Sequence, residues 1–234
     1  MERNRLTLVA LAVGVAALVA VVLVLVVGHG GSSAGSTTST SASTVTSAAP
    51  LGSVPQHGDT LGKPGAPVSL VVFEDPQCPY CRSWNVDSLS TVVSQFVQTG
   101  RIKLVYRGVV IIGPDSVRGL RAIYAAGLQN KLWDMADELY ARQRAENSGW
   151  ITNRVILEAA AAAGANGKAV LANMGAPAVS AALRQAQADA KAAQLQGTPT
   201  FVLEQPPAVS RQLNVPGLDP SSFVAALSAA LQQG

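Results

Sequence analysis

Cys78 and Cys81 are the two cysteines of this chain, and only Pro79 and Tyr80 separate them. Before them, Val68-Ser69-Leu70-Val71-Val72-Phe73 is short, apolar and β-branched, so it reads as a buried strand. After them, Pro79 suits the first turn of a helix, where its missing N–H costs nothing. A lone C-x-x-C pair at a strand-to-helix junction is the arrangement of a thiol-disulfide exchange site. No further cysteine is present to complete a four-thiolate metal site, and the two histidines, His29 and His57, lie in or beside a low-complexity stretch. A purely structural bridge closing so short a loop would remove little unfolded-state entropy. The pair therefore reads as redox-active, with no metal and no diffusible cofactor implied.

The attacking species in such exchange is a thiolate, so one sulfur needs a lowered pKa. Cys78 is placed for this at the exposed start of a helix, with free N–H groups and the positive end of the helix dipole. It is assigned as the nucleophile, and Cys81, one turn further in, as the buried resolving thiol.

The N-terminus bears on the compartment. Arg3 and Arg5 precede an uncharged apolar run from Leu6 to Val27, about 22 residues. As a helix that run spans roughly 33 Å, enough for a hydrocarbon core of about 30 Å. Residues 1–27 are read as a cytoplasmic stub and a signal-anchor transmembrane helix. The small residues Ser32-Ser33-Ala34 leave cleavage open. The positive-inside rule puts Met1 in the cytoplasm and the remainder outside, where disulfides are tolerated. Residues 28–56 are rich in Ser, Thr, Gly and Ala and read as a flexible tether. Residues 57–234 are long enough for one domain with a sizeable core. A net charge of +3 is too weak a bias to imply nucleic acid.

Helical spacing recurs at Val86, Leu89, Val93, Phe96 and Val97, with Gly100 ending the run. Residues 101–107 alternate as a half-buried strand would. Asp115 or Ser116 is placed to cap a helix through Leu120, Ile123, Tyr124 and Leu128. Leu132 to Tyr140 continues on the next helix, Thr152 caps another, and Pro177 opens a run to about Gln196. Strand signals return at Thr200 to Leu203 and around Val209 to Leu213. Asp219 or Pro220 starts a last helix. The order is βαβ, a helical block, then ββα.

Three segments carry a resemblance. Phe73-Glu74-Asp75-Pro76-Gln77-Cys78-Pro79-Tyr80-Cys81, Lys131-Leu132-Trp133-Asp134-Met135 and Gly197-Thr198-Pro199-Thr200-Phe201 resemble the DsbA family, over roughly Leu61 to Leu231. The resemblance implies an α/β thioredoxin fold with an inserted α-helical domain at about 114–196, here preceded by one transmembrane helix. It implies that the Thr198–Pro199 bond is cis and lies opposite the cysteine pair, where the Thr198 backbone meets an extended substrate. Members of the family often carry an acid six residues before the first cysteine; this chain has Val72 there, which puts a buried relay carboxylate at that place in doubt. Glu74 and Asp75 read either as proton-relay or tuning groups for Cys81 or as solvated loop acids. Strongly oxidising members have Pro-His between the cysteines, whereas Tyr80 brings no cation to a thiolate. Trp84 is near enough to line a substrate groove, while Trp133, Trp150 and Phe96 read as core.

The function so implied is a monomeric, membrane-tethered, extracytoplasmic thiol-disulfide oxidoreductase that introduces disulfides into exported proteins. A quinone-linked membrane partner of the DsbB or vitamin-K-epoxide-reductase type would reoxidise it. The alternatives are a reductase or isomerase on the same fold, or a thioredoxin-fold binding module or holdase.

Overall fold

The computed structural model describes residues 51, 54–207 and 210–233. Six strands form one sheet: β1 (Gln56–His57), β2 (Thr60–Leu61), β3 (Val68–Glu74), β4 (Ile102–Gly108), β5 (Thr200–Glu204) and β6 (Arg211–Gln212), in the order β1-β2-β4-β3-β5-β6. β3 is central. It runs parallel to β4, with Val72 opposite Tyr106, and antiparallel to β5, with Val72 opposite Phe201. Both faces of β3 are covered, which is why its sequence is apolar without alternation. Leu70 and Val72 face the main core, and Val71 and Phe73 face a smaller cluster with Val105 and Ala190. That second layer also corrects the reading of residues 101–107: Val105 is buried because a helix crosses the outer face of β4.

Residues 79–97 form one helical rod, α1, in which Pro79–Ser83 and Leu89–Val92 are α-helical and Trp84–Ser88 and Val93–Val97 are π-helical. Each π segment departs from the 3.6-residue spacing. Val86 is 40% exposed for that reason, although regular spacing places it on the buried face. Trp84 takes the inward position instead, its ring centroid 4.3 Å from that of Phe223 and 4.9 Å from that of Phe201.

Between β4 and β5 stand five helices: α2 (Pro114–Gly127), α3 (Leu132–Ala141), α4 (Asn153–Ala162), α5 (Gly167–Asn173) and α6 (Pro177–Ala192). The N-cap of α2 is Gly113, not Asp115 or Ser116. Both side chains are committed elsewhere: Asp115 accepts from the Gly149 N–H at 2.7 Å, and the Ser116 hydroxyl donates to Asp75 at 2.6 Å. Leu128 lies past the end of α2 and is 52% exposed. Thr152 caps α4 by accepting from the Val155 N–H at 3.2 Å, as its sequence position predicts. α5 carries a single buried residue, Val170, too little periodicity to announce it. α6 stops at Ala192, short of Gln196, and Gln194 takes a positive φ of 50°. α7 (Pro220–Gln232) is capped by Asp219, which accepts from the Ser222 N–H at 3.0 Å.

The N-terminal hairpin corrects the tether boundary. Leu51 and Val54 are buried in the core, and Gln56 pairs with Leu61. Gln56 also donates to Asp134 at 2.8 Å and accepts from the Trp133 N–H at 3.0 Å, pinning the hairpin to α3. Arg107 clasps Asp59 of the hairpin and, at 2.6 Å, Asp189 of α6. The expected membrane helix Leu6–Val27 lies outside the described residues. Among those residues no helix is long and apolar enough to cross a membrane.

Candidate active site

β3 delivers Glu74 and Asp75 to the end of the sheet, and the turn Asp75-Pro76-Gln77 carries the chain into α1. Cys78 is the N-cap of α1, with extended backbone (φ −69°, ψ 121°) and its carbonyl accepting from the Arg82 N–H at 3.0 Å. Its Sγ donates to the Thr198 carbonyl at 3.2 Å, across a cis Thr198–Pro199 bond, as the resemblance implies. The two thiols are free.

The two sulfurs are driven in opposite directions. Cys78 is lowered to about 6, first by a hydrogen bond from Cys81, then by the Thr198 side chain and the backbone N–H groups of Cys81 and Tyr80, against a cost from burial. These are the free amides of a helix start. Burial pushes Cys81 well up, helped by the neighbouring Cys78 and by the charge of Glu74. These shifts favour ionisation at Cys78, which then gives up the proton its thiol form donates to Thr198, and the thiol form at Cys81.

Two expectations about exposure change. Cys78 is only 5% exposed, because the Thr198 segment closes over it; the exposed residue at the helix start is Tyr80, at 67%. Trp84 is fully buried and lines no groove. A cleft of about 400 Å³, lined by Val109, Val110, Ile111 and Leu195 and by the polar Gln187, Lys191 and Gln194, reaches Gln196, two residues before Thr198, and touches neither sulfur. A larger hollow of about 630 Å³ between α6 and the sheet touches neither sulfur.

Glu74 and Asp75 are both fully buried, so neither is a solvated loop acid. They differ in partners. Asp75 is saturated: it accepts from the N–H groups of Gln77, Ile111 and Ile112 at 2.8, 2.8 and 3.0 Å, and from Ser116. It holds the loop after β4 against the cysteine turn. Glu74 accepts one hydrogen bond, from Asn85 at 2.7 Å, and its second oxygen has no partner. Burial raises it well above the usual carboxylate range, against the Asn85 bond, with the charges of Cys78 and Asp137 adding to the rise. The Asn85 amide also donates to the Cys81 carbonyl at 2.9 Å, so one side chain ties the acid to the resolving cysteine's turn of helix. A buried acid therefore lies next to the resolving cysteine's turn of helix, two residues past the place where Val72 stands.

Sequence reasoning missed several members. Asn85 sits one helical turn past Cys81, and a polar residue there is a legible signal. Gln77 donates to Ser116 and Asn147 at 2.9 and 3.1 Å, and Gln143 donates to the Cys78 carbonyl at 3.1 Å. These couple the turn to the helical insertion, and nothing local in the sequence marks them. Tyr106 and Tyr140 are fully buried with hydroxyls lacking a hydrogen-bond partner, near enough to Cys81 and Glu74 for burial and those charges to raise both well. Among the described residues no group of three or more His, Cys, Asp or Glu side chains is placed to hold a metal.

Comparison with known proteins agrees with this geometry. A family model described as thioredoxin matches residues 56–208. The chain is 36% identical over 100 residues to a probable disulfide bond formation protein D of Bacillus cereus, covering 42% of this chain and 46% of that one. It is 29% identical over 94 residues to disulfide bond formation protein D of Bacillus subtilis, covering 39% and 42%. The alignments thus span less than half the length of these curated relatives. Among solved structures, BdbD from Bacillus subtilis (oxidised) superposes with a TM-score of 0.63 at 19% identity, covering 76% of this chain and 97% of that one. A thioredoxin-like oxidoreductase from Silicibacter pomeroyi gives 0.56 at 29% identity, covering 74% and 91%.

Proposed function

This chain belongs to the thioredoxin family, and from that premise we propose that it is an extracytoplasmic protein thiol-disulfide oxidoreductase that introduces disulfides into exported proteins. The observation that carries the reading is the split between the sulfurs: Cys78 lowered to about 6, Cys81 pushed well up. A thiolate held ionised at neutral pH stabilises the reduced enzyme, and a stabilised reduced form makes its disulfide an oxidant.

A substrate thiolate attacks Sγ of Cys78 in the oxidised pair, and the S–S electron pair passes to Cys81. Burial makes a lasting Cys81 thiolate unfavourable, so it takes a proton from Glu74, whose carboxyl burial keeps neutral. A second substrate thiolate then attacks the substrate sulfur of the mixed disulfide and expels Cys78, a good leaving group because its thiolate is stable. Thr198 offers its backbone to an extended substrate segment. The cleft between Val109–Ile111 and Gln196 takes flanking side chains. The enzyme is left reduced, and a quinone-linked membrane partner of the DsbB or vitamin-K-epoxide-reductase type restores the disulfide. The Leu6–Val27 run tethers the domain to the membrane, N-terminus inside.

The test is equilibration of the pair with glutathione at several pH values. The expected potential lies between those of thioredoxin and the strongest oxidants, about −270 and −120 mV. Its pH slope should relax from about 59 to about 30 mV per unit on crossing pH 6, where reduction goes from taking up two protons to one. A potential at or below that of thioredoxin would favour a reductase, and no turnover of a reduced model protein would favour a binding module. Protease added to intact protoplasts should digest the domain; recovery of a soluble product starting near Gly35 would remove the tether.

A further inference from the structure

The turn Asp75-Pro76-Gln77-Cys78 is tied down from two sides. Its N–H groups point to Asp75: Gln77 donates to the Asp75 carboxylate at 2.8 Å and Cys78 to the Asp75 carbonyl at 2.9 Å. Pro76 has no N–H to give. Pro76 and Cys78 are buried, and their carbonyls need donors at that depth. One side chain of the helical insertion serves both. Nε2 of Gln143 donates to the Pro76 carbonyl at 3.0 Å and to the Cys78 carbonyl at 3.1 Å. A primary amide nitrogen carries two hydrogens, so the two bonds use its whole donor capacity.

The end of α3 puts Gln143 there. Arg142 closes the helix, and the Gln143 N–H still reaches the Tyr140 carbonyl at 3.1 Å, so the side chain departs from a fixed point. Four residues on, Asn147 grips Gln77: its N–H donates to Gln77 Oε1 at 2.6 Å and its Oδ1 accepts from Gln77 Nε2 at 3.1 Å. α2 comes so close that a Cβ on Gly119 would lie 2.9 Å from Pro76 Cγ. Of these contacts, the one from Gln143 reaches Cys78 itself.

The Cys78 carbonyl opens α1 and is shared between Gln143 and the Arg82 N–H at 3.0 Å. Holding it holds ψ of Cys78 at 121°, and that angle sets where the next N–H groups lie relative to Sγ. Cys78 is lowered to about 6 first by the Cys81 thiol and then, among others, by the N–H groups of Cys81 and Tyr80. The charges nearby are otherwise engaged: Asp75 by backbone N–H groups and Ser116, Arg142 by Glu138, Asp115 by the Gly149 N–H. Arg82, Arg144 and Glu146 are exposed.

We propose that Gln143 is a positioning residue for disulfide exchange: its amide clamps the Pro76 and Cys78 carbonyls and so holds the helix start in register with the nucleophilic sulfur. The proposal rests on the thiol-exchange reading. It makes the helical insertion part of the redox site, through one neutral side chain.

The test compares the full chain with Gln143→Met, which keeps the length of the side chain, removes both donors and changes no charge. Cys78 is followed by thiolate absorbance. The pair is then equilibrated with glutathione, where the dithiol and glutathione disulfide give the protein disulfide and two glutathione thiols. In the variant the thiolate-to-thiol ratio at pH 6 should fall about threefold, within what one hydrogen bond contributes. A less stabilised reduced form is more readily oxidised. The equilibrium constant for oxidation should therefore rise about threefold at pH 7 and stay unchanged at pH 5, where Cys78 is a thiol in both proteins. The wild-type protein supplies a reading that needs no variant to fold. The side-chain ¹⁵N–¹H signals of Gln143 should move with a midpoint near pH 6 and again on oxidation. A Cys78 titration that Gln143→Met leaves unmoved, an equilibrium shift equal at pH 5 and pH 7, or Gln143 signals blind to both changes overturns the proposal and leaves the exchange reading intact. A wild-type pair that does not exchange with glutathione sinks both.

Discussion

The rim and the floor of the active site are built by opposite rules. At the rim, Cys78 meets the Thr198 side chain, free amides of a helix start and the exposed Tyr80 ring. Nearly every polar group there has a partner, and the sulfur is easy to ionise. On the floor, Glu74, Cys81, Asn85, Tyr106 and Tyr140 are buried with four polar atoms lacking partners. Every ionisable group there is pushed toward its neutral form. The contrast teaches that reactivity comes from a difference across one helical turn. Hydrogen bonds set the rim, desolvation sets the floor, and the disulfide bridges the two.

The hardest test of that division removes one sulfur at a time. Cys81→Ser leaves the rim nucleophile without a resolver, so substrates should accumulate as mixed disulfides on gels. Cys78→Ser should trap almost none, because the remaining sulfur is sealed and protonated. Equal trapping by both would erase the distinction.

Removing the floor's acid comes next. Glu74→Gln should slow the steps that move the Cys81 proton on the order of 10²-fold without moving the Cys78 titration far from 6. It should also stabilise the fold, with a definite pH dependence. Burial raises Glu74 above its unfolded value of about 4.3. The native state then binds more protons than the unfolded one above that pH, so this residue's contribution is full below about pH 4 and is lost as pH rises. The variant's advantage in denaturant melts should therefore vanish near pH 4 and widen toward pH 8. An advantage independent of pH would mean that packing, and not charge burial, had changed.

The smallest effect is expected at the rim's most exposed residue. Tyr80→His puts a titratable cation beside the thiolate, but a solvent-exposed pair contributes under about 1 kcal/mol. That corresponds to a rise in potential of about 20 mV or less. The rise should be largest near pH 6, where the imidazole is charged, and fade by pH 8. A larger shift would show that position 80 is less open to solvent than its 67% exposure indicates.

The rim was largely legible before the structure. A cysteine pair after an apolar strand, a proline at the first turn of a helix and a Thr-Pro segment before a strand are local patterns with local causes. The floor was not. Glu74 and Asp75 are adjacent acids at the end of β3, and only folding, which brings the loop after β4 to Asp75 and seals Glu74 from water, makes one a brace and pushes the other well above the usual carboxylate range. Trp84 reads as a groove residue if α1 is regular; the π segment rotates it inward.

The hydrogen bond between Cys78 and Thr198 joins residues 120 positions apart. Between them lies the whole helical insertion. A ribosome adding about 5–20 residues per second delivers Thr198 roughly 6–24 s after Cys78. For that interval the newborn cysteine pair has neither its wall nor, with β5 still missing, a finished sheet beneath it. That contact over the mature sulfur is thus among the last to be made in biogenesis. Until then the protein is itself an unprotected dithiol, of the same chemical kind as the clients proposed for it.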